Sequence, residues 1–155
     1  MLSPASVVEE LNRHIESFVE SPHPALLGQP VCPFARRARK RGQVRTVVVP
    51  FIVADDSAVQ EAVEEFYPQF ELDVLLVVHP EADGIGYFDL TDMRTRYAET
   101  WAGEYEVFTG HPDDPFTRAG LLTRQEPYPV LHFVRSDRII EAEAQLSDRR
   151  RAHIG

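Results

Sequence analysis

Apolar residues along the chain change their period several times, and each change predicts an element. Val7, Val8, Leu11, Ile15, Phe18 and Val19 recur at helical spacing behind Ser3 and Ser6, either of which can cap a helix running to about Glu20. The stretch SPHPALLGQPVCP has no period and reads as an extended, proline-fixed loop, and Pro33 can open a short helix through Lys40. QVRTVVVPFIV is a β-branched run of strand type. DDSAVQEAVEEFYPQF is a helix capped at Asp56 or Ser57 and stopped by Pro68. LDVLLVVHP is a second strand and the most apolar one. FDLTDMRTRYAETWAG is a helix capped near Asp89 with Met93, Tyr97 and Trp101 on one face. EYEVFTGHP is a third strand, PDDPFTRAGLLTRQEPYP an irregular connection, VLHFVR a fourth strand and SDRIIEAEAQL a last helix.

Strands alternating with helices predict an α/β (α+β) fold, a single mixed four-stranded sheet with helices packed on it. No linker, repeat or low-complexity tract interrupts residues 1–155, which read as one globular domain.

Charge narrows the partners. A formal net charge of -9, from 25 acidic and 16 basic side chains, argues against nucleic acid. No apolar run reaches the roughly 20 residues that a membrane helix needs. The N-terminus is amphipathic and acidic, unlike a signal peptide, and a lone cysteine fits a reducing compartment. The expectation is a cytoplasmic protein that binds a small molecule. A homodimer covered by the proline-rich loops is a further expectation.

The single cysteine is the first candidate for chemistry. If Pro33 opens a helix, Cys32 is its N-cap, where unpaired N–H groups carry about half a positive charge. Arg36, Arg37 and Lys40 follow within two turns and add to that field. Such settings hold thiol pKa values at roughly 3.5–7.5, against ~8.5 for a free thiol, which suits a nucleophile or a metal ligand. The plainer reading makes Cys32 a small buried hydrophobe and the arginines a solvated face or phosphate patch.

The histidines come next. His79 and His111 each end a strand and precede a proline. If the two strands run parallel, both imidazoles leave the sheet at one edge, where open α/β sheets place ligands. Asp113 and Asp114 add carboxylates of metal-ligand type beside His111, although His-Pro is also a plain strand-to-turn step and aspartates cap turns. His132 lies inside an apolar strand, opposite Leu131 and Phe133, as a satisfied core histidine would. Arg124, on the stiff loop before Pro127 and Pro129, can clamp an anion or pair with Glu126. Glycine-rich phosphate loops, HExxH, CxxC and GxSxG motifs are absent.

In order, VCPFARRARKRGQVRTVVVP, LLVVHP, VFTGHPDDPF and TRQEPYPVLHFVR resemble a family of uncharacterised bacterial proteins, a domain of unknown function. That family is defined by the pattern CPF, HP, FHP and SPYP followed by an apolar-LH-apolar strand. Its phenylalanine before the third histidine is replaced here by Thr109-Gly110. Its asparagine and serine before PYP are replaced by Thr123 and Glu126. The shorter CPF and HP motifs are also similar to those of YqcI/YcgG-type proteins, some of which are haem-dependent enzymes that N-hydroxylate amines or guanidines. That resemblance implies haem as a cofactor, with Cys32 and His111 as partners of the iron and Arg36, Arg37, Arg39 and Arg124 beside the propionates. The chain is then a haem-dependent oxidoreductase acting on a small nitrogenous metabolite. Two alternatives stand beside it. One is a metal-free thiol enzyme, with Cys32 as nucleophile and His111 or His79 as base. The other is a non-catalytic module holding an anionic ligand or partner.

Overall fold

A computed structural model describes residues 3–19, 23–26, 41–141 and 144. Cys32, Arg36 and Arg37, with the short helix expected after Pro33, lie outside the described residues. Helix α1 spans Pro4–His14 and strand β1 spans Val44–Val48. Helix α2, Ser57–Phe66, leads to β2, Val74–Val78. Helix α3, Tyr87–Thr100, leads to β3, Tyr105–Gly110. The short strands β4 and β5, Thr117–Arg118 and Leu121–Leu122, precede β6, Val130–Arg135.

The fold is α+β, with one mixed sheet in the order β1-β2-β6-β3 and helices packed on it. β1 and β2 are parallel, joined through α2. β6 is antiparallel to both β2 and β3 and lies between them, so β1, β2 and β3 all run in one direction. The register places Val78 and Gly110 on either side of Val130, so β2 and β3 end at the same level.

Each face of the sheet has its own apolar cluster. α2 buries Val59, Ala62, Val63 and Phe66, and α3 buries Leu90, Met93 and Tyr97, each set at helical spacing. They cover Leu75, Val77, Val107, Leu131 and Phe133. On the opposite face α1 buries Val7 and Leu11 over Val74, Leu76, Val78, Val130 and Val134. β2 is buried along its whole length because both faces are covered, which is why its sequence VLLVV does not alternate. The hydroxyl of Tyr128, on the loop before β6, donates to Glu10 Oε2 at 2.6 Å and ties that loop to α1.

Several expected boundaries move. The first helix is α-helical only to His14 and continues as a π-helical turn over Ile15–Val19. α3 is capped at Gly86 rather than near Asp89. β1 ends at Val48, before Pro50, whose missing N–H cannot extend a ladder. The connection expected to be irregular contains the β4–β5 hairpin, turned by Ala119 and Gly120 with φ of 52° and 79°. Among the described residues, no helix is long and apolar enough to cross a membrane.

Candidate functional site: a carboxylate and two imidazoles under α1

His79 and His111 do leave the sheet at one edge, as parallel strands require. Their main-chain positions flank β6, with the His79 N–H donating to Pro129 O at 2.9 Å. Both side chains turn back into their own loops. The Glu81 N–H donates to His79 Nδ1, and the Asp113 N–H donates to His111 Nδ1, each at 3.0 Å. An Nδ1 that accepts fixes the proton on Nε2. His111 Nε2–H then donates to the carbonyl of Ile85 at 2.7 Å, joining the loop after β3 to the loop after β2. His111 is 2% exposed, and both its ring nitrogens are bonded to backbone. The His79 ring sits edge-on to Phe51 and against Gly84, where any Cβ would collide with it. Burial lowers its pKa, against the nearby Glu81 and Asp83 carboxylates.

Of the two carboxylates beside His111, Asp113 is exposed and Asp114 serves the turn. Asp114 is buried, and its Oδ1 accepts the Phe116 N–H at 2.9 Å. Arg124 is exposed, its guanidinium carbon 3.7 Å from the centre of the Phe116 ring, and its carbonyl accepts the His111 N–H. Arg124 and Glu126 form no ion pair, because Glu126 turns to another partner.

That partner is His132. Glu126 is 8% exposed, and its Oε2 lies 3.0 Å from His132 Nε2. The carboxylate occupies space that a side chain at residue 110 would fill, and residue 110 is glycine. His132 projects from β6 on the α1 side of the sheet, the same side as Val130 and Val134. Burial pulls its pKa down, but the charge and hydrogen bond of Glu126 outweigh burial and leave it raised.

A second imidazole faces the same carboxylate. His14, in the last turn of α1, has a pKa lowered by burial, against the Glu126 charge and the Gln125 backbone. Its Nε2 is buried without a hydrogen-bond partner among the described residues. Its ring stacks on Phe18, and Phe18 packs on His23, whose Nε2 contacts the Phe18 carbonyl oxygen at 2.6 Å. Among the described residues, no group of three His, Cys, Asp or Glu side chains is arranged to hold a metal ion.

Residue type and spacing single out His79, His111 and Arg124, whereas the described structure gathers His14, Glu126 and His132. Glu126 stands where the resembling family has serine, so a motif match passes over it. His132 is half-buried rather than part of the core, with its Nε2 bonded to Glu126, and nothing local in the sequence names that partner.

A family model matches residues 11–153. The chain belongs to DUF1415, a protein family of unknown function. No curated protein and no solved structure matches it. In this DUF1415 chain the matched span covers α1 from Leu11, the whole sheet, and every residue of the Glu126 cluster.

Proposed function

We propose that this chain is a small-molecule enzyme whose acid–base group is His132 held by Glu126, with His14 facing the same carboxylate and Cys32 as the nucleophile. One observation carries the reading: a buried carboxylate paired to an imidazole, in space that only a glycine at 110 leaves open. A carboxylate that orients an imidazole is the arrangement that activates a thiol or hydroxyl. Burial and Glu126 push the two imidazoles apart, His132 up and His14 down. Groups separated in this way divide into acid and base near neutral pH. The role of Cys32 rests on its sequence setting at Pro33 and the basic run. In the reaction the thiol proton passes to imidazole and the thiolate adds to an electrophilic carbon of the substrate. The imidazolium then gives the proton to the leaving group as its bond to that carbon breaks, and water deprotonated by the same imidazole cleaves the carbon–sulfur bond and restores the Cys32 thiol. The lone thiol supports a reducing, cytoplasmic location, and the net charge of -9 supports a small molecule rather than nucleic acid as partner. A homodimer covered by the proline-rich loops belongs to the same reading.

The test is the pH dependence of iodoacetamide labelling of Cys32. The midpoint should lie below the ~8.5 of a free thiol and rise in His132→Ala. A midpoint at the free-thiol value in the unmodified chain counts against the thiolate.

A haem-dependent reading is favoured by one feature, the buried His14 Nε2 without a partner, which is the state of an imidazole nitrogen free to ligate iron. Cys32 or His14 would hold the iron, Arg36 and Arg37 would pair with the propionates, and the haem would supply one-electron and O2 chemistry. His111 could join only by giving up a backbone hydrogen bond. Protein produced with haem supplied should show a Soret band that Cys32→Ala or His14→Ala shifts. A colourless product removes this reading and leaves the thiol enzyme standing.

A further inference from the structure

We propose that the cleft between α2 and α3 is a second binding site, for a small zwitterion bearing both an ammonium and a carboxylate, a free amino acid in the simplest case. The cleft has a volume of about 270 Å³. That is just under the ~300–1,000 Å³ of sites for drug-sized ligands, so the occupant is a small metabolite. It lies over the α2/α3 cluster, on the face of the sheet opposite His132, and is independent of the acid–base site.

Asp56 sets one pole. It is the N-cap residue of α2, yet its carboxylate makes no capping bond. An N-cap aspartate normally stabilises its helix by accepting a first-turn N–H. Here Asp55 takes the Ser57 hydroxyl at 2.8 Å, and Asp56 points into the cleft. Its Oδ2 accepts the Tyr97 hydroxyl at 2.7 Å and its Oδ1 the Gln60 amide at 3.1 Å. Each oxygen keeps a second acceptor site for an ammonium. Glu64 adds negative charge along the same wall.

Arg96 sets the other pole. It lines the cleft from α3 and, among the described residues, makes no ion pair. Its planar fork is free to take a carboxylate bidentately. Trp101, packed on Tyr67 and Tyr105, supplies an aromatic wall. A simple amine would meet the repulsion of Arg96, and a simple acid that of Asp56 and Glu64. Only a ligand with both charges satisfies the two poles, which is selection by repulsion as much as by attraction.

Trp101 is the single tryptophan of the chain, so its emission reads the cleft directly. The full chain is titrated with each free amino acid to about 10 mM, with calorimetry in parallel, a range that reaches millimolar binding. At least one should give saturable binding. Its N-acetyl and amide derivatives should bind at least about tenfold more weakly, a difference of ~1.4 kcal/mol. Arg96→Met, at an exposed position, and Asp56→Asn, which keeps an acceptor for Tyr97, should each weaken binding by a similar factor with an unchanged circular dichroism spectrum. Absence of both heat and emission change across the panel overturns the proposal. So does binding that survives both substitutions, because it then occurs elsewhere.

Discussion

A Cβ added to Gly110 would fall on the carboxylate of Glu126. The last residue of β3 thus decides whether a carboxylate can lie beside His132 on β6. Gly110→Ala should push Glu126 off its partner and leave burial unopposed at His132. The His132 pKa, raised in the native chain, should then fall below its ordinary value. Stability should drop by roughly 1–3 kcal/mol, the cost of a buried polar group deprived of its partner. Histidine titration by NMR and urea unfolding measure the two effects. A His132 titration unchanged by the added methyl would break the link between the glycine and the dyad.

The histidines also predict a shape for stability against pH. His132 has a raised folded pKa, so its contribution is complete below the unfolded value of about 6.5 and is lost as pH rises through the folded value. His14 and His79 have lowered folded pKa values, so their contributions are complete above about 6.5 and are lost as pH falls through the folded values. Together they give a maximum near pH ~6.5 from these three groups. Glu126→Gln removes what raises His132, so the alkaline decline should vanish. It also removes the charge that favours protonated His14, so the acid decline should steepen. Urea midpoints between about pH 5 and 9 for both proteins check this. An alkaline limb that persists in Glu126→Gln would assign it to another group.

The two His-Pro steps should separate structure from chemistry. His111→Ala removes two hydrogen bonds, one of them the tie to Ile85, and leaves a cavity at a site that is 2% exposed. The expected loss is roughly 2–4 kcal/mol. His79→Ala should cost less, since its ring makes one such bond. Neither change should move the labelling midpoint of Cys32, whereas His132→Ala should. Should His111→Ala shift that midpoint in a chain that remains folded, the base would lie at the strand ends after all.

The legible part of the sequence is its periodic part. VLLVV and VLHFVR are seen directly as buried strands, and Val59, Ala62, Val63 and Phe66 mark α2 by spacing alone. The parallel direction of β2 and β3 enters the sequence reading only as a condition, because no local signal shows that β6 inserts between them. The β4–β5 hairpin leaves no such signal. Its strands have two residues each, and its turn begins with an alanine at φ 52°, a conformation that local sequence rarely assigns to alanine. His79 and His111 stand out by residue type and position. Their main-chain hydrogen bonds depend on the loops closing back on the rings, which spacing does not encode. Glu126 and His132 are six residues apart around a Pro-Tyr-Pro bracket, and they meet only because the chain reverses there into β6.

Arg135 tests whether a guanidinium can be exchanged for a simple charge. It ends β6 and is 6% exposed, with its guanidinium carbon 4.4 Å from the centre of the Phe66 ring. Its Nε–H donates to Leu72 O at 2.6 Å, and its Nη2 donates to Phe66 O at 3.0 Å and Gln69 O at 2.9 Å. Phe66 O ends α2, where the helix carries about half a negative charge, and Phe66 O and Gln69 O also accept the N–H groups of Gln69 and Leu72, whereas Leu72 O has the arginine as its donor. The arginine therefore closes the helix from a neighbouring strand and fixes the turn that leads into β2. Arg135→Met leaves Leu72 O and Tyr67 O without a donor and removes a second donor from Phe66 O and Gln69 O, so it should cost roughly 1–3 kcal/mol. Arg135→Lys restores the charge but not the planar fork that reaches several carbonyls at once, so it should recover less than half of that loss. Urea unfolding of the two variants decides the matter. If lysine restores full stability, the site needs only a positive charge at the helix end, and the fork geometry contributes nothing measurable.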